Sequence, residues 1–98
     1  MRVESPRTRR DLGALGAHLA AGRKIHGLTQ AELAERAGIS RATVAALERG
    51  DGGPRLDSFL AVVRVLGAND ALVAAVDPLA TEYGRAHAGR ADRLRVRS

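Results

Sequence analysis

The sequence predicts one all-α domain of five helices, with a flexible basic arm before it and a basic tail after it. The 98-residue chain has room for a single small core. Its hydrophobic residues, 45% of the total, are mostly Ala, Leu and Val, and its only aromatic side chains are Phe59 and Tyr83. This composition suits closely packed short helices better than a sheet. We therefore place the arm at residues 1–10, the domain at residues 11–77 and the tail at residues 78–98.

The first helix is predicted from Asp11 to about His26, after an arm in which Pro6 and four arginines show no periodicity. Its apolar residues fall at three- and four-residue spacing, as one face of a helix requires. They are Leu12, Leu15 and Leu19. The helix also contains three glycines, each of which costs about 1 kcal/mol relative to alanine, so packing must hold it.

Helices 2 and 3 have unusually complete start signals. Thr29 and Glu32 form a capping box, in which each side chain accepts a hydrogen bond from the other residue's backbone amide. Gly38 is the residue type expected just past the end of helix 2, and Ser40 then caps helix 3. The turn between them is about three residues long, which is the length of a helix-turn-helix connection. Helix 3 is predicted from Ser40 to Arg49.

A loop at residues 51–54 precedes the last two helices. An amphipathic helix 4 is closed by Gly67, and Asn69 caps a short helix 5 that Pro78 stops. The apolar positions of helix 4 are Leu56, Phe59, Leu60, Val63 and Leu66. Residues 93–97 alternate arginine with Leu94 and Val96, which is the two-residue period of a strand. A disordered basic tail is the alternative.

Composition excludes several classes of function. The absence of cysteine rules out disulfides, thiolate metal ligands and a cysteine nucleophile, and no apolar run is long enough to span a membrane. The histidines have no metal-ligand spacing, since His18 and His26 would lie about 12 Å apart along a helix. No nucleophile elbow or phosphate loop is present. We expect no enzyme, cofactor, metal or membrane partner. The absence of cysteine and of a signal peptide favours the cytoplasm, and the arginine-rich composition favours a bacterial origin.

The net charge of +5 lies mainly at the two ends of the chain. Between Asp11 and Gly84 the chain has seven basic residues and nine acidic ones. Affinity for a nucleic acid would therefore depend on where those few cations are placed and on the ends. The scarcity of aromatic residues argues against single-stranded RNA or DNA, whose binding sites depend on base stacking.

The outward face of helix 3 is a narrow surface of short side chains with an arginine near each end. Val44 and Leu47 are predicted to turn inward to the core. The outward residues are Arg41, Ala42, Ala45, Ala46 and Arg49. Such a surface could enter a major groove about 12 Å wide. An ordinary helical hairpin with a solvated outer face satisfies the capping and turn length equally well.

The stretch from Leu15 to Leu66 contains GLTQAELA at 27–34, AGISRATV at 37–44 and LERG at 47–50, with Pro54 and Leu56 following. In these residues it resembles the lambda-repressor-like (Xre) DNA-binding domain. It implies a sequence-specific transcriptional regulator that binds a double-stranded DNA operator. The DNA-binding residues that it implies are Gln30, Ser40, Arg41, Ala42, Thr43, Ala46, Arg49 and Arg55. Among these, Gln30 and Ser40 would hold phosphates from helix N-termini. The base edges would be faced by Arg41, Ala42 and Ala46, and the DNA backbone by Arg49 and Arg55.

The same resemblance implies a structural ion pair between Arg23 on helix 1 and Glu48 on helix 3. Judged from the residues alone, Glu48 could equally be a solvated neighbour of Arg49.

The tail resembles the ends of HipB-like antitoxins through Asp77-Pro78, Gly84-Arg85, Arg90 and Arg95-Val96-Arg97. That resemblance implies a C-terminal strand paired across a homodimer, an autoregulating repressor and a HipA-like kinase toxin as partner. Two other interpretations stay open: a free-standing Xre-type repressor without a toxin, and a protein-interaction module that has lost operator binding.

Overall fold

The computed structural model describes residues 5–97, in which seven α-helices follow one another and no strand occurs. Five of them cover the predicted domain, two more follow it, and a 3₁₀ turn at Pro78–Ala80 separates the two groups. The helices are α1 Pro6–Ile25, α2 Gln30–Ala37, α3 Arg41–Glu48, α4 Leu56–Val65, α5 Asn69–Ala75, α6 Glu82–Ala86 and α7 Gly89–Arg97. The all-α prediction is confirmed, and the count of five helices becomes seven within the described residues.

Helix α1 begins five residues earlier than the sequence analysis placed it. Ser5 caps it by accepting a hydrogen bond from the Thr8 amide at 3.4 Å, and Pro6 occupies the first helical position. Proline suits that position because its fixed φ is helical and no backbone donor is needed there. Residues 6–10 of the expected flexible arm are therefore helical, and residues 1–4 lie outside the described part of the chain.

The expected C-terminal strand is wrong for the described backbone, because residues 89–97 form α7. A helix satisfies its backbone hydrogen bonds within itself, whereas a strand needs a neighbour, and the described chain supplies none. Arginine and leucine also have high helix propensity, which outweighs the two-residue alternation. The tail is helical over this stretch.

The core lies between α1, α2, α3 and α4. Leu33, Val44 and Val62 are at most 1% exposed and come from α2, α3 and α4 respectively. They are joined by further buried side chains, which are Leu19, Leu28, Ala34, Leu47 and Val63. Helix α3 is thus held by its inner face through Val44 and Leu47, as the sequence analysis predicted.

Helices α2 and α3 both end at a glycine with a left-handed backbone, which L-residues with a Cβ rarely adopt. Gly38 has φ 72° and Gly50 has φ 78°. After α3, the Gly50 amide donates to the Leu47 carbonyl and the Asp51 amide to the Ala46 carbonyl, both at 3.0 Å. These bonds satisfy carbonyl groups that the end of α3 would leave without partners.

The backbones of α1 and α3 approach each other directly. A Cβ built on Gly16 would lie 2.6 Å from the Glu48 carbonyl oxygen and 2.8 Å from the Gly50 nitrogen. In the same way, a Cβ on Gly50 would lie 2.8 Å from the Gly13 Cα, whereas a Cβ on Gly13 itself would meet nothing within 4 Å. Gly16 and Gly50 are therefore required for this contact, which fixes the C-terminal end of α3 against α1.

Candidate nucleic-acid interface

The N-terminal ends of α2 and α3 are fixed by side-chain caps. Thr29 and Glu32 form the predicted capping box, in which the Glu32 amide donates to Thr29 Oγ1 at 3.0 Å and the Thr29 amide donates to Glu32 Oε1 at 2.9 Å. The bond from the Thr29 amide also lowers the pKa of the Glu32 carboxyl. Gln30 and Arg41 become the first residues of α2 and α3, beside amides that carry the positive end of each helix dipole.

Ser40 and Thr43 form a second cap at the start of α3. Ser40 Oγ accepts a hydrogen bond from the Thr43 amide at 3.0 Å, and the two hydroxyl groups lie 2.8 Å apart. One of the two hydroxyls donates its hydrogen atom to the other. The accepting hydroxyl therefore keeps its own hydrogen atom free to donate outward.

The structure brings Arg23, Glu48 and Gln30 together between α1, α2 and α3. Arg23 donates to both carboxylate oxygens of Glu48, from Nε to Oε2 at 2.7 Å and from Nη2 to Oε1 at 3.1 Å. Its Nη1 donates to the Leu28 carbonyl at 2.8 Å, and Gln30 Nε2 donates to Glu48 Oε1 at 3.0 Å. The side chains of Arg23 and Glu48 are only 13% and 8% exposed. Glu48 is thus a shared acceptor that ties three helices together.

Two effects oppose each other at the Glu48 carboxyl. Burial raises its pKa, but the hydrogen bonds from Arg23 and Gln30 and the positive charge of Arg23 lower it by more, so the net pKa is lowered. The same hydrogen bond raises the pKa of Arg23. Glu48 is therefore held in its charged form, which is the form that accepts all three hydrogen bonds.

Sequence reasoning missed the bond between Gln30 and Glu48. Nothing in the local sequence signals it, because residues 18 positions apart meet only through the packing of α2 against α3. The bond matters because it uses one of the two amide hydrogens of Gln30 and orients the other.

The outward face of α3 has no partner within the described chain. Arg41, Ala42 and Arg49 are exposed, while Thr43 and Ala46 are half-buried. The guanidinium groups of Arg41 and Arg49 make no hydrogen bond or ion pair with any residue that the structure describes. Both guanidinium groups are thus available to an anion or a base edge.

Arg55 precedes α4 and is paired locally. It donates to Asp57 from Nε to Oδ1 and from Nη2 to Oδ2, each at 3.0 Å, and the two side chains are 82% and 68% exposed. The hydrogen bond from Arg55 lowers the pKa of the Asp57 carboxyl. Such an exposed pair contributes little to stability, so it can open at small cost when another anion approaches.

The model of the helix-turn-helix family matches residues 19–71, which is more than half of the chain and includes α2, α3 and α4 completely. The chain belongs to the lambda-repressor-like (Xre) helix-turn-helix family. A relative from the archaeon Methanothermobacter thermautotrophicus, described as an uncharacterized HTH-type transcriptional regulator, is 51% identical over 45 residues. The aligned stretch is 46% of this chain and 65% of that relative, so the chain spans less than two thirds of the relative's length.

The helix-turn-helix match leaves two parts of the chain outside it. They are the first part of α1, before residue 19, and everything after residue 71, including α6 and α7. In the described part of the protein, no helix combines the length and the apolar content that crossing a membrane requires. No group of potential metal ligands was found among the same residues.

An apolar cleft of about 330 Å³ lies behind the loop that follows α3 in this helix-turn-helix protein. Leu12 and Leu15 of α1 form one wall, and Leu56 and Phe59 of α4 form the other. The sequence identified these residues only as the apolar faces of two helices, and a cleft between the helices depends on how they pack. Leu56 is 71% exposed and Leu15 is 42% exposed.

Proposed function

We propose that the protein is a sequence-specific double-stranded DNA-binding transcriptional regulator whose helix α3 enters the major groove. The observation that carries the proposal is the contrast between the two faces of α3. Its inner face is buried and its C-terminal end is tied to α1, whereas its outward face is short, polar at both ends and unpartnered. A narrow helix face of this kind fits a major groove about 12 Å wide.

The site residues take distinct roles in this proposal. Arg41, at the first position of α3, makes a bidentate contact with guanine O6 and N7, and Ala42 and Ala46 pack on thymine methyl groups. Gln30 donates its second amide hydrogen to a phosphate, and Ser40 holds a phosphate at the start of α3. The remaining contacts in the proposal come from Thr43 beside Ser40 and, on the DNA backbone, from Arg49 and Arg55.

Replacing Arg41 with alanine is expected to remove discrimination at one G·C pair of the operator. We expect a loss of about 1 to 3 kcal/mol for the preferred sequence and a much smaller loss for random duplex. Selection of bound sequences from a random duplex library, followed by competition titrations, measures both. Arg36→Ala is the matched control, because Arg36 is an exposed cation on the last turn of α2. Equal losses on preferred and random DNA would make Arg41 a phosphate contact.

The second part of the proposal is that the protein binds as a symmetric homodimer on an imperfect palindrome. The two recognition helices would lie about 34 Å apart, one turn of duplex. Support comes from four apolar side chains in the segment from α5 to α6 that are exposed to water, since burying apolar surface against a second copy of the chain is favourable. They are Val73, Val76, Leu79 and Tyr83, each more than half exposed.

Changing the spacing of the two half-sites tests the dimer. Inserting about 5 base pairs, half a helical turn, should turn the second half-site to the opposite face of the duplex and reduce affinity to that of a single half-site. Inserting a full turn should rotate it back. Affinity that is insensitive to both insertions, together with a monomeric mass in sedimentation equilibrium, would contradict the dimer.

Autoregulation and the antitoxin role are the most specific parts of the proposal. An autoregulating repressor should shift the DNA upstream of its own gene at about 50 mM salt, where phosphate contacts are strong. Failure to shift any duplex at that salt would favour the protein-interaction module.

The proposed HipA-like kinase partner is supported only by the resemblance of the tail residues to HipB-like antitoxins. The strand that this resemblance implies is not part of the support, because α7 is helical. Copurification of such a kinase from the native host supports it, and its absence leaves the free-standing repressor. The proposed location is cytoplasmic and nucleoid-associated, and the bacterial origin stays a prediction.

A further inference from the structure

The net positive charge of this protein lies outside the helix-turn-helix domain that contains α3. Residues 11–77 contain seven basic and eight acidic residues, which gives a net charge of −1. Residues 1–10 and residues 78–98 each carry a net charge of +3. Attraction to the phosphates of duplex DNA is the main source of sequence-independent affinity, and it requires cations. Within the domain body, the proposed contacts with the DNA backbone include only two cations, Arg49 and Arg55, so most of the net positive charge lies elsewhere in the chain.

The C-terminal segment is a connected unit rather than a loose extension. A Cβ on Gly84 would overlap the Pro78 carbonyl oxygen, and Arg85 donates to the Leu79 carbonyl at 2.9 Å, so α6 is fixed against the 3₁₀ turn. The rings of Tyr83 and His87 stack with centroids 4.2 Å apart, and Arg90 Nη1 donates to the Tyr83 hydroxyl at 3.3 Å. These contacts link α7 to α6.

Two arginines of α7 have no acidic partner among the described residues. Arg90 and Arg93 are exposed, lie three residues apart on one face of the helix, and form no ion pair with any residue that the structure describes. Asp92 is the only acidic residue of α7, whose sequence is GRADRLRVR. A short helix of this kind is marginal by itself in water. An anion bound between Arg90 and Arg93 would offset the repulsion between these two like charges. Arginine is well suited to phosphate because its planar guanidinium can donate two parallel hydrogen bonds.

We propose that α7 is a second DNA-binding element, which contacts backbone phosphates through Arg90 and Arg93 and adds sequence-independent affinity to that supplied by Arg49 and Arg55 in the domain body. This inference rests on the proposed function, since it concerns the same duplex that α3 reads. In this proposal α3 and α7 have different roles in binding. Helix α3 selects the sequence, and α7 adds affinity that depends on salt and is equal for all sequences.

The salt dependence of binding tests the inference. The full-length double variant Arg90→Gln/Arg93→Gln should lower the slope of log affinity against log salt concentration by about 1.8, since each phosphate contact contributes about 0.9. The loss should be the same for the preferred duplex and for a random one. Arg93→Gln alone, which breaks no hydrogen bond seen in the described chain, should lower the slope by about half as much.

The matched control is Arg36→Gln/Arg64→Gln, which removes the same charge from exposed last turns of α2 and α4. Its slope should stay at the wild-type value. An unchanged slope in the α7 variant, or an equal decrease in the control, would overturn the inference and leave the proposed function standing. An acidic protein partner for α7 would give the first of these results. Absence of duplex binding by the wild-type protein at 50 mM salt would overturn the proposed function and this inference together.

Discussion

Replacing Glu48 with alanine should lower the free energy of unfolding by about 3 to 5 kcal/mol, the largest effect that we expect from one substitution. The variant leaves the Arg23 guanidinium in a site where only 13% of its side chain is exposed, with two of its donors unsatisfied. It also removes the acceptor of Gln30. Urea unfolding followed by circular dichroism measures the loss.

Glu35→Ala provides the comparison for that experiment, because Glu35 is an exposed glutamate on α2. Its effect should stay within about 0.5 kcal/mol. If Glu48→Ala also cost less than about 1 kcal/mol, the pair with Arg23 would behave as a solvated surface pair. Replacing both partners by apolar residues of similar volume should cost less than removing Glu48 alone, because no charge is then left buried.

The Glu48 pair also predicts how stability depends on pH. Because the folded-state pKa of Glu48 is lowered, its contribution is fully present above the unfolded value of about 4.3. The contribution is lost as the pH falls through the folded-state value. Glu32 and Asp57 also have lowered pKa values, and Glu48 is not among the causes. Their contributions should therefore cancel in the difference between wild type and Glu48→Gln, which is the quantity to measure. That difference should shrink as the pH falls below about 4.

Replacing Gly16 with alanine should destabilise the protein by about 1 to 3 kcal/mol, although alanine is the better helix former. The added methyl group would lie 2.6 Å and 2.7 Å from the carbonyl oxygens of Glu48 and Leu47, and these are backbone atoms that cannot move aside without shifting α3. Thermal and urea unfolding measure the loss. Binding to the preferred duplex should weaken as well, because α3 would be displaced from α1.

Gly13→Ala is an internal control one turn away on the same helix. A Cβ there meets no atom within 4 Å, so the substitution should raise stability by about 0.5 to 1 kcal/mol through helix propensity. The two substitutions are chemically identical and are expected to have opposite signs. A rise in stability for both would show that α1 and α3 are not in backbone contact.

Local signals in the sequence predicted the helix-turn-helix, because caps and turns are encoded within a few residues. The start of α2 was predicted from Thr29 and Glu32, its end from Gly38, and the start of α3 from Ser40. Ser5 and Pro6 form an equally local signal for α1, which the clustered arginines obscured. The C-terminal helix was missed because the alternation of arginine with apolar residues indicates a strand, although the helix propensity of arginine and leucine favours a helix.

Other features depend on the tertiary structure and leave no local trace. The sequence showed Gly16 as a costly residue in a helix, and only the approach of α3 explains why it is there. The Arg23 and Glu48 pair came from family resemblance, since their spacing of 25 residues indicates nothing by itself. The partner of Gln30 could not be read from the sequence for the same reason.

The direct contact between α1 and α3 has a consequence for how such a protein can diverge. Everything that holds α3 in place acts from behind it or at its ends, through Val44, Leu47, Glu48 and Gly50. The side chains at positions 41, 42 and 46 make none of these contacts, and two of them are alanines. Exchanging these side chains should therefore create new operator preferences on an unchanged scaffold, so duplicated copies of the gene could acquire separate regulatory targets through very few mutations.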